Sequence, residues 1–141
     1  MTKCVSTQCL ADFLEDANCR TRELLLDLDD NQLMGPKLPI VNPILWEVGH
    51  VAWFYDQFIL RMLYRKDPTL KDGDKLYDSI DIEHYDRWDL PLLSKPDVLD
   101  YIDTIRQKLI DRLGLISGSN MASEQDSFIY QFAVFHEDMH T

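Results

Sequence analysis

Apolar residues cover most of the circumference of one predicted helix, between residues 44 and 63. Its main stripe follows spacings of three and four: Ile44, Val48, Val51, Tyr55, Phe58 and Met62. A second row widens that stripe, and further aromatic residues lie elsewhere around the helix: Leu45, Ala52, Ile59 and Leu63, then Trp46, Trp53 and Phe54. Such a helix needs neighbours on several sides, so we expect it at the centre of the packing. Asn42 is its predicted N-cap, with Pro43 in the first helical position.

Three other segments repeat the helical spacing. The first carries Leu10, Leu14, Ala17, Thr21, Leu24 and Leu28. The next opens near Ser94 and carries Val98, Ile102, Ile105, Leu109 and Leu113. The last opens near Ser123 and carries two adjacent rows: Phe128, Phe132, Phe135 and Met139, then Ile129, Ala133, His136 and His140. No segment has a strand pattern, so the sequence predicts an all-α four-helix bundle.

Residues 66–93 form a long loop between the second and third of these helices. They show no steady periodicity and contain turn-forming pairs such as Asp67-Pro68 and Leu90-Pro91. A loop of this length inside a compact domain is more often functional than idle. A shorter turn is predicted at residues 118–120, before the last helix.

The charge balance disfavours two classes of partner. Fourteen basic and 25 acidic side chains give a net charge of −11. An acidic surface repels phosphate backbones and anionic lipids, so we expect no nucleic-acid and no membrane partner. The three cysteines, Cys4, Cys9 and Cys19, form neither a C-x-x-C site nor an even set for disulfides. They are typical of a reducing, cytoplasmic setting.

His136 and His140 lie four residues apart, so on a helix they share one face and can chelate one ion. Imidazole suits iron, zinc, copper and nickel alike. Both could instead be ordinary polar residues near a helix end, where a protonated imidazole favours the dipole. With Glu137 they also spell the H-E-x-x-H of zinc metalloproteases, but no third ligand follows and no sheet is predicted to bind a peptide.

His50 is the third candidate ligand and lies in the aromatic second helix. The alternative is a buried, hydrogen-bonded histidine of the core. Gly49 beside it costs roughly 1 kcal/mol in a helix interior relative to Ala. We therefore expect another backbone or a ligand to approach closely at this point.

Three motifs in order along the chain resemble the N-terminal DinB-like domain of the non-haem iron sulfoxide synthases, which make ergothioneine and ovothiol. The first motif is NPILWEVGHVAWF at residues 42–54. The second comprises residues 77–79, Tyr-Asp-Ser, and residues 87–91, Arg-Trp-Asp-Leu-Pro. The third is FHEDMH at residues 135–140. The resemblance runs from about residue 10 to the end of the chain.

The resemblance implies an Fe(II) centre held by His50, His136 and His140. It also implies O₂-dependent joining of a cysteine-type thiol to the imidazole of histidine or a methylated histidine. Three neutral ligands leave coordination positions open for O₂ and both substrates. A second hypothesis is a stand-alone DinB-like thiol transferase with Zn or Ni at the same histidines. A third is a non-catalytic helical interaction module whose histidines are structural.

Two further residues are predicted to contact substrate. Arg87 is a candidate clamp for the carboxylate of the thiol substrate, because guanidinium binds carboxylate bidentately. Its alternative role is an ion pair with one of its acidic neighbours. The resemblance implies that Met139 also contacts substrate, because the ovothiol-like branch tends to have Met at this position and the ergothioneine branch often has Gln. We expect Trp88 and Leu90 to anchor the long loop over the metal end, with Arg87 facing the cavity.

The domain organisation is also predicted from the resemblance. Such enzymes carry a C-terminal domain resembling the formylglycine-generating enzyme, which supplies much of the substrate pocket. The last predicted helix is still running at Thr141. We therefore interpret residues 1–141 as the N-terminal, metal-binding fragment of a longer chain; an unusually short natural protein is the alternative. Alone, it is expected to bind a divalent metal without forming the carbon–sulfur bond.

Overall fold

The structure is a computed structural model that describes residues 3–116 and 120–141. Four long helices build the bundle: α1 (Thr7–Leu25), α3 (Ile44–Tyr55), α5 (Lys95–Gly114) and α6 (Glu124–His140). Two short helices lie in the connections: α2 (Asp30–Met34) and α4 (Gly73–Tyr77). A π-helical turn, Asp56–Arg61, extends α3, and a 3₁₀ turn spans His84–Trp88. The all-α prediction is confirmed, whereas residues 118 and 119 of the predicted turn lie outside the described residues.

Helix α3 occupies the centre of the packing, as its apolar circumference predicts. It packs against α5 and α6 along its length, and against the short helices α2 and α4. Trp46, Ala52 and Ile59 have almost no exposed surface. Helix α1 packs against α5 and α6. The centre of the core is therefore the helix that also carries His50.

Serine caps begin the other three long helices. The side chains of Ser6, Ser94 and Ser123 accept hydrogen bonds from the backbone three residues on. The predicted starts near Ser94 and Ser123 are confirmed. The predicted cap at Asn42 is wrong, because Pro43 itself is extended, with φ −57° and ψ 133°, and α3 begins at Ile44.

The first helix ends earlier than its periodicity predicts. It stops at Leu25, and the next helix, α2, follows the N-cap residue Asp29, whose side chain and that of Gln32 form a reciprocal capping box. Leu24 is consequently 56% exposed, whereas Leu25 is buried. Leu28 lies beyond the helix end and packs against the core from the connection.

The connection from residue 66 to 93 lies against α3 and is more ordered than its missing periodicity indicates. The buried carboxylate of Asp56 accepts hydrogen bonds from the backbone N–H and hydroxyl of Thr69. Further along, Trp88 donates its indole N–H to backbone carbonyls at residues 34 and 35. Leu90 packs against the core. Trp88 and Leu90 therefore do anchor this segment, as predicted.

The two rows of α6 have opposite environments. One row is exposed, at 53%, 48%, 65% and 76% of the residue surface: Phe128, Phe132, Phe135 and Met139. The other row faces the bundle, where Ala133 is fully buried and the two histidines are half-buried. Within residues 3–116 and 120–141, no helix combines the length and the apolar character needed to cross a bilayer.

Candidate metal centre

Three imidazole rings meet between α3 and α6. His50 comes from the middle of α3, and His136 and His140 come from the last two turns of α6. One nitrogen of each ring lies within 4.8 Å of the other two. The ring centroids are 4.5–5.0 Å apart. Residues far apart in sequence are thus brought to one point by the packing of α3 on α6.

The orientation of His50 is fixed from several sides. Its Nδ1–H donates to the backbone carbonyl of Tyr77 at 2.8 Å. Its ring stacks on Trp46, with centroids 4.8 Å apart and planes 9° apart. Because a carbonyl oxygen only accepts, Nδ1 carries the proton and Nε2 keeps its lone pair. Burial lowers the pKa of His50, which favours the neutral, ligating form.

Glu47 holds His140 in a similar way. One carboxylate oxygen accepts a hydrogen bond from His140 Nδ1, and the other accepts from the Asn42 side-chain amide at 2.6 Å. Burial raises the pKa of Glu47, but the hydrogen bonds from His140 and Asn42 outweigh burial and lower it overall. Glu47 is therefore ionised at neutral pH and fixes the orientation of the His140 ring, whose Nε2 lies against His136 Nε2.

His136 completes the group and is the least satisfied of the three. Its ring lies flat on Phe54, with centroids 3.6 Å apart. Its Nδ1 is buried and has no hydrogen-bond partner among the described residues. Burial, and then the neighbouring His140 and His50, lower its pKa to about 3. A neutral imidazole at this position is ready to accept a cation rather than a proton.

The donor set suits a first-row divalent metal. His136 Nε2 and His140 Nε2 lie 3.1 Å apart, a distance that suits a hydrogen bond or two ligands of one ion. Two atoms bound at about 2.1 Å lie roughly 3.0–3.4 Å apart when the angle at the metal is near 90–109°. Metal-ligating histidines usually donate their second N–H to a carbonyl or carboxylate. Tyr77 and Glu47 provide those two acceptors here.

Glu137 faces away from the three histidines. Its carboxylate is 3% exposed and accepts hydrogen bonds from Thr21 Oγ1 on α1 and from the Tyr55 hydroxyl. Burial raises its pKa, which those two bonds partly offset. A metalloprotease base must face the metal-bound water. The structure therefore argues against the H-E-x-x-H interpretation.

Arg87 lies on Trp46, with its guanidinium carbon 4.0 Å from the ring centroid. It donates to the Asn42 side-chain oxygen at 2.8 Å and to the backbone carbonyls of Ser79 and Ile82. All these acceptors are neutral, and among the described residues no acidic side chain forms the ion pair that was the alternative role of Arg87. Its buried Nε–H has no partner among the described residues. The carboxylate-clamp role of Arg87 stays a prediction.

Met139 is 76% exposed and lies outside the ring cluster. Its substrate-contacting role also stays a prediction. Two supporting residues were not predicted from the sequence: Glu47, which accepts a hydrogen bond from His140 Nδ1, and Tyr77, whose carbonyl accepts one from His50 Nδ1. Glu47 lies three residues before His50, a spacing that puts both on one side of a helix. Tyr77 offers only a backbone carbonyl, which no side-chain pattern reveals.

A family model for the DinB superfamily matches residues 14–141. The chain belongs to the DinB superfamily. Among curated proteins, this DinB-superfamily chain is 29% identical over 137 residues to a hercynine oxygenase of Mycobacterium tuberculosis and 28% identical over 138 residues to one of Mycolicibacterium smegmatis. Each match covers 96% of the chain and 31% of the relative. A hercynine oxygenase of Mycolicibacterium thermoresistibile is 29% identical over 133 residues, which is 93% of the chain and 28% of that protein. The chain thus spans about a third of the length of these relatives.

Proposed function

We propose that this chain is the metal-binding part of an Fe(II)- and O₂-dependent sulfoxide synthase. The observation that carries the proposal is the convergence of His50, His136 and His140 with their ligating nitrogens directed at one another. The Nδ1 atoms of His50 and His140 bond to a carbonyl and a carboxylate, which are the acceptors typical of histidine–metal sites. The three named relatives are oxygenases of hercynine, a trimethylated histidine, which supports a histidine-type substrate.

The proposed reaction joins a cysteine-type thiol to an imidazole carbon. The sulfur–carbon bond replaces one S–H and one C–H bond, and O₂ oxidises the sulfur. One oxygen atom enters the sulfoxide and the other leaves as water with both hydrogens, so no further reductant is required. Bound iron would supply the redox chemistry that activates O₂. The three imidazoles hold the iron, and their neutral charge leaves the thiolate as the preferred anionic partner.

The choice of histidine substrate is a finer proposal. Met139 favours the ovothiol-like branch, in which the acceptor is histidine itself. The named relatives instead act on hercynine. Supplying histidine and trimethylated histidine together to the active, full-length protein, and identifying the sulfoxide by mass spectrometry, decides between them. A product from hercynine alone would remove the ovothiol-like assignment.

We also propose that residues 1–141 bind metal without performing the reaction. Metal affinity requires only the three imidazoles and the groups that orient them. Catalysis also requires two substrates held beside the iron in a water-excluding cavity. Aerobic incubation of the iron-loaded chain with cysteine and either histidine or trimethylated histidine is expected to give no sulfoxide. Robust turnover would contradict this division of labour.

The test of the metal site is anaerobic titration with Fe(II). His50→Ala and His136→Ala are each expected to weaken binding by more than about 100-fold, because each removes a direct ligand. His84→Ala is the matched control, since His84 also bonds a carbonyl, that of Leu38, but lies outside the cluster. Unchanged affinity in the first two variants would refute the site. Parallel titrations with Zn(II) and Ni(II) test the thiol-transferase alternative.

An interaction role has one supporting observation. The exposed aromatic row of α6, with Phe135 65% exposed, is larger than the isolated apolar residues usual on a surface. A folded chain that binds none of the three metals would favour this alternative over both metal-dependent functions.

A further inference from the structure

Three ring N–H groups of α3 point at the same short helix. Trp46, His50 and Trp53 are spaced by four and three residues, so they lie on one face of α3. Trp46 Nε1 donates to the Leu76 carbonyl at 2.8 Å, and His50 Nδ1 donates to the next carbonyl at 2.8 Å. Trp53 Nε1 donates to the Asp74 carboxylate at 2.7 Å. Helix α4 therefore accepts three hydrogen bonds from α3, and the one from His50 lies between those from the two tryptophans.

The three rings also support one another. The His50 ring stacks on Trp46 with centroids 4.8 Å apart and on Trp53 with centroids 5.8 Å apart. Arg61 adds two bonds to the Asp74 carboxylate, at 2.6 and 3.1 Å, and so fastens the start of α4 to the turn that extends α3. A rotation of the His50 ring would break both its stacking and its carbonyl bond.

Gly49 sets how closely α4 approaches α3. A Cβ atom at residue 49 would lie 2.1 Å from Tyr77 Cε1 and 2.3 Å from Tyr77 Cζ. The Tyr77 ring is fully buried, and its hydroxyl accepts the backbone N–H of Leu93 at 3.2 Å. The ring is thus held at its far end and enclosed by the protein. Only glycine at position 49 lets the Tyr77 backbone come within reach of His50.

We propose that the contact of Tyr77 with Gly49 is the positioning device that sets the tautomer and orientation of His50. The residue whose carbonyl bonds His50 Nδ1 is the same residue whose ring lies over Gly49. Seating the ring therefore places the carbonyl, and the carbonyl places the proton on Nδ1 and the lone pair on Nε2. The connection between α3 and α5 controls the metal site in this way without contributing a ligand. The metal part of this inference rests on the proposed function.

The first measurement needs no variant. Long-range ¹H–¹⁵N spectra of the metal-free chain at neutral pH report the tautomer of each histidine, and loss of one signal in His50→Gln assigns that of His50. We expect His50 to be the Nδ1–H tautomer. An Nε2–H tautomer, or a mixture of the two, would overturn the proposal.

The second measurement compares two glycine-to-alanine variants. Gly49→Ala is expected to weaken Fe(II) binding by roughly 10–100-fold, the usual cost of disturbing a group that orients a ligand, and to populate the Nε2–H tautomer. Gly114→Ala is the matched control, because a Cβ there has no atom within 4 Å and α5 ends at that residue. Wild-type affinity and tautomer in folded Gly49→Ala would contradict the proposal.

A double variant separates this positioning from a general loss of structure. Gly49→Ala with Tyr77→Leu removes the ring atoms that collide but keeps the backbone carbonyl. It is expected to bind Fe(II) more tightly than Gly49→Ala alone and to regain the Nδ1–H signal. Affinity no better than that of the single variant, with both proteins folded by circular dichroism, would overturn the proposal.

The outcomes distinguish this inference from the proposed function. If the wild-type chain binds no metal but Gly49→Ala shifts the His50 tautomer, the metal assignment fails and the positioning stands. If the wild-type chain binds Fe(II) and Gly49→Ala changes neither affinity nor tautomer, the positioning fails and the metal assignment stands.

Discussion

Two faces of the last turns of α6 carry polar side chains that differ in their hydrogen-bond partners. On the histidine face, His136 and His140 direct nitrogens towards His50, and His136 Nδ1 has no partner among the described residues. On the glutamate face, both oxygens of Glu137 accept hydrogen bonds, from Thr21 and Tyr55. The two faces are one residue apart in sequence; the histidines are half-buried and Glu137 is buried.

Hydrogen-bond partners separate a binding group from a structural one. A buried polar group that has all its partners within the protein contributes to the fold. Buried groups that converge on one another while lacking partners remain costly unless something else binds them. A short motif such as H-E-x-x-H contains both kinds of residue, so the motif alone does not distinguish them. The hydrogen-bond partners do.

The largest expected effect is on the glutamate face. Glu137→Ala leaves the Thr21 and Tyr55 hydroxyls buried without an acceptor, so we expect a loss of about 3 kcal/mol in the free energy of unfolding. Metal affinity of the folded protein is expected to stay within about threefold, since Glu137 holds no ligand nitrogen. Urea denaturation of the metal-free chain and Fe(II) titration measure the two quantities. A Glu137→Ala variant that keeps its stability but loses metal affinity would contradict the structural role of Glu137.

The next effect is on the pH dependence of the histidine face. An ordinary imidazole, with pKa about 6.5, would lose roughly 30-fold in metal affinity between neutral pH and pH 5 through proton competition. Burial and the neighbouring imidazoles lower the pKa of His136 to about 3, so His136 stays neutral over that range, and burial also lowers the pKa of His50. We therefore expect the total loss at pH 5 to be well below the product of three such losses. A steeper fall in calorimetric titrations would contradict the lowered pKa values.

The smallest expected effect is at the carboxylate that supports the histidine face. Glu47→Gln keeps an oxygen acceptor for His140 Nδ1–H but removes the negative charge, so we expect about 10-fold weaker Fe(II) binding. Asp89→Asn is the matched control, because it makes the same change in a surface ion pair with Lys37. Equal affinities in the two variants would show that Glu47 acts as a structural group, like Glu137.

Much of the fold was predictable because helix periodicity is a local property. The rows through Val98 and Leu109 and through Ala133 depend only on residues three and four apart, which the backbone hydrogen bonds of a helix bring together. Short helices could not be predicted in this way. The five-residue helix α2 has too few residues to show a period, although Asp29 and Gln32 form a capping box. The Asn42 cap was wrong because its side chain bonds Glu47 and Arg87 instead of the helix backbone.

That His136 and His140 share a helix face follows from the sequence alone, and so does a close approach at Gly49, although the predicted neighbour was a backbone or a ligand and the Tyr77 side chain lies there instead. Spacing along one helix and the absence of a side chain are local facts, readable without coordinates. Three contacts depend on the packing of the whole chain: His50 meets the histidine face of α6, the Tyr77 ring lies on Gly49, and Glu137 faces α1. Those contacts join residues far apart in sequence, and their identity follows from how the helices pack together, which no local pattern encodes.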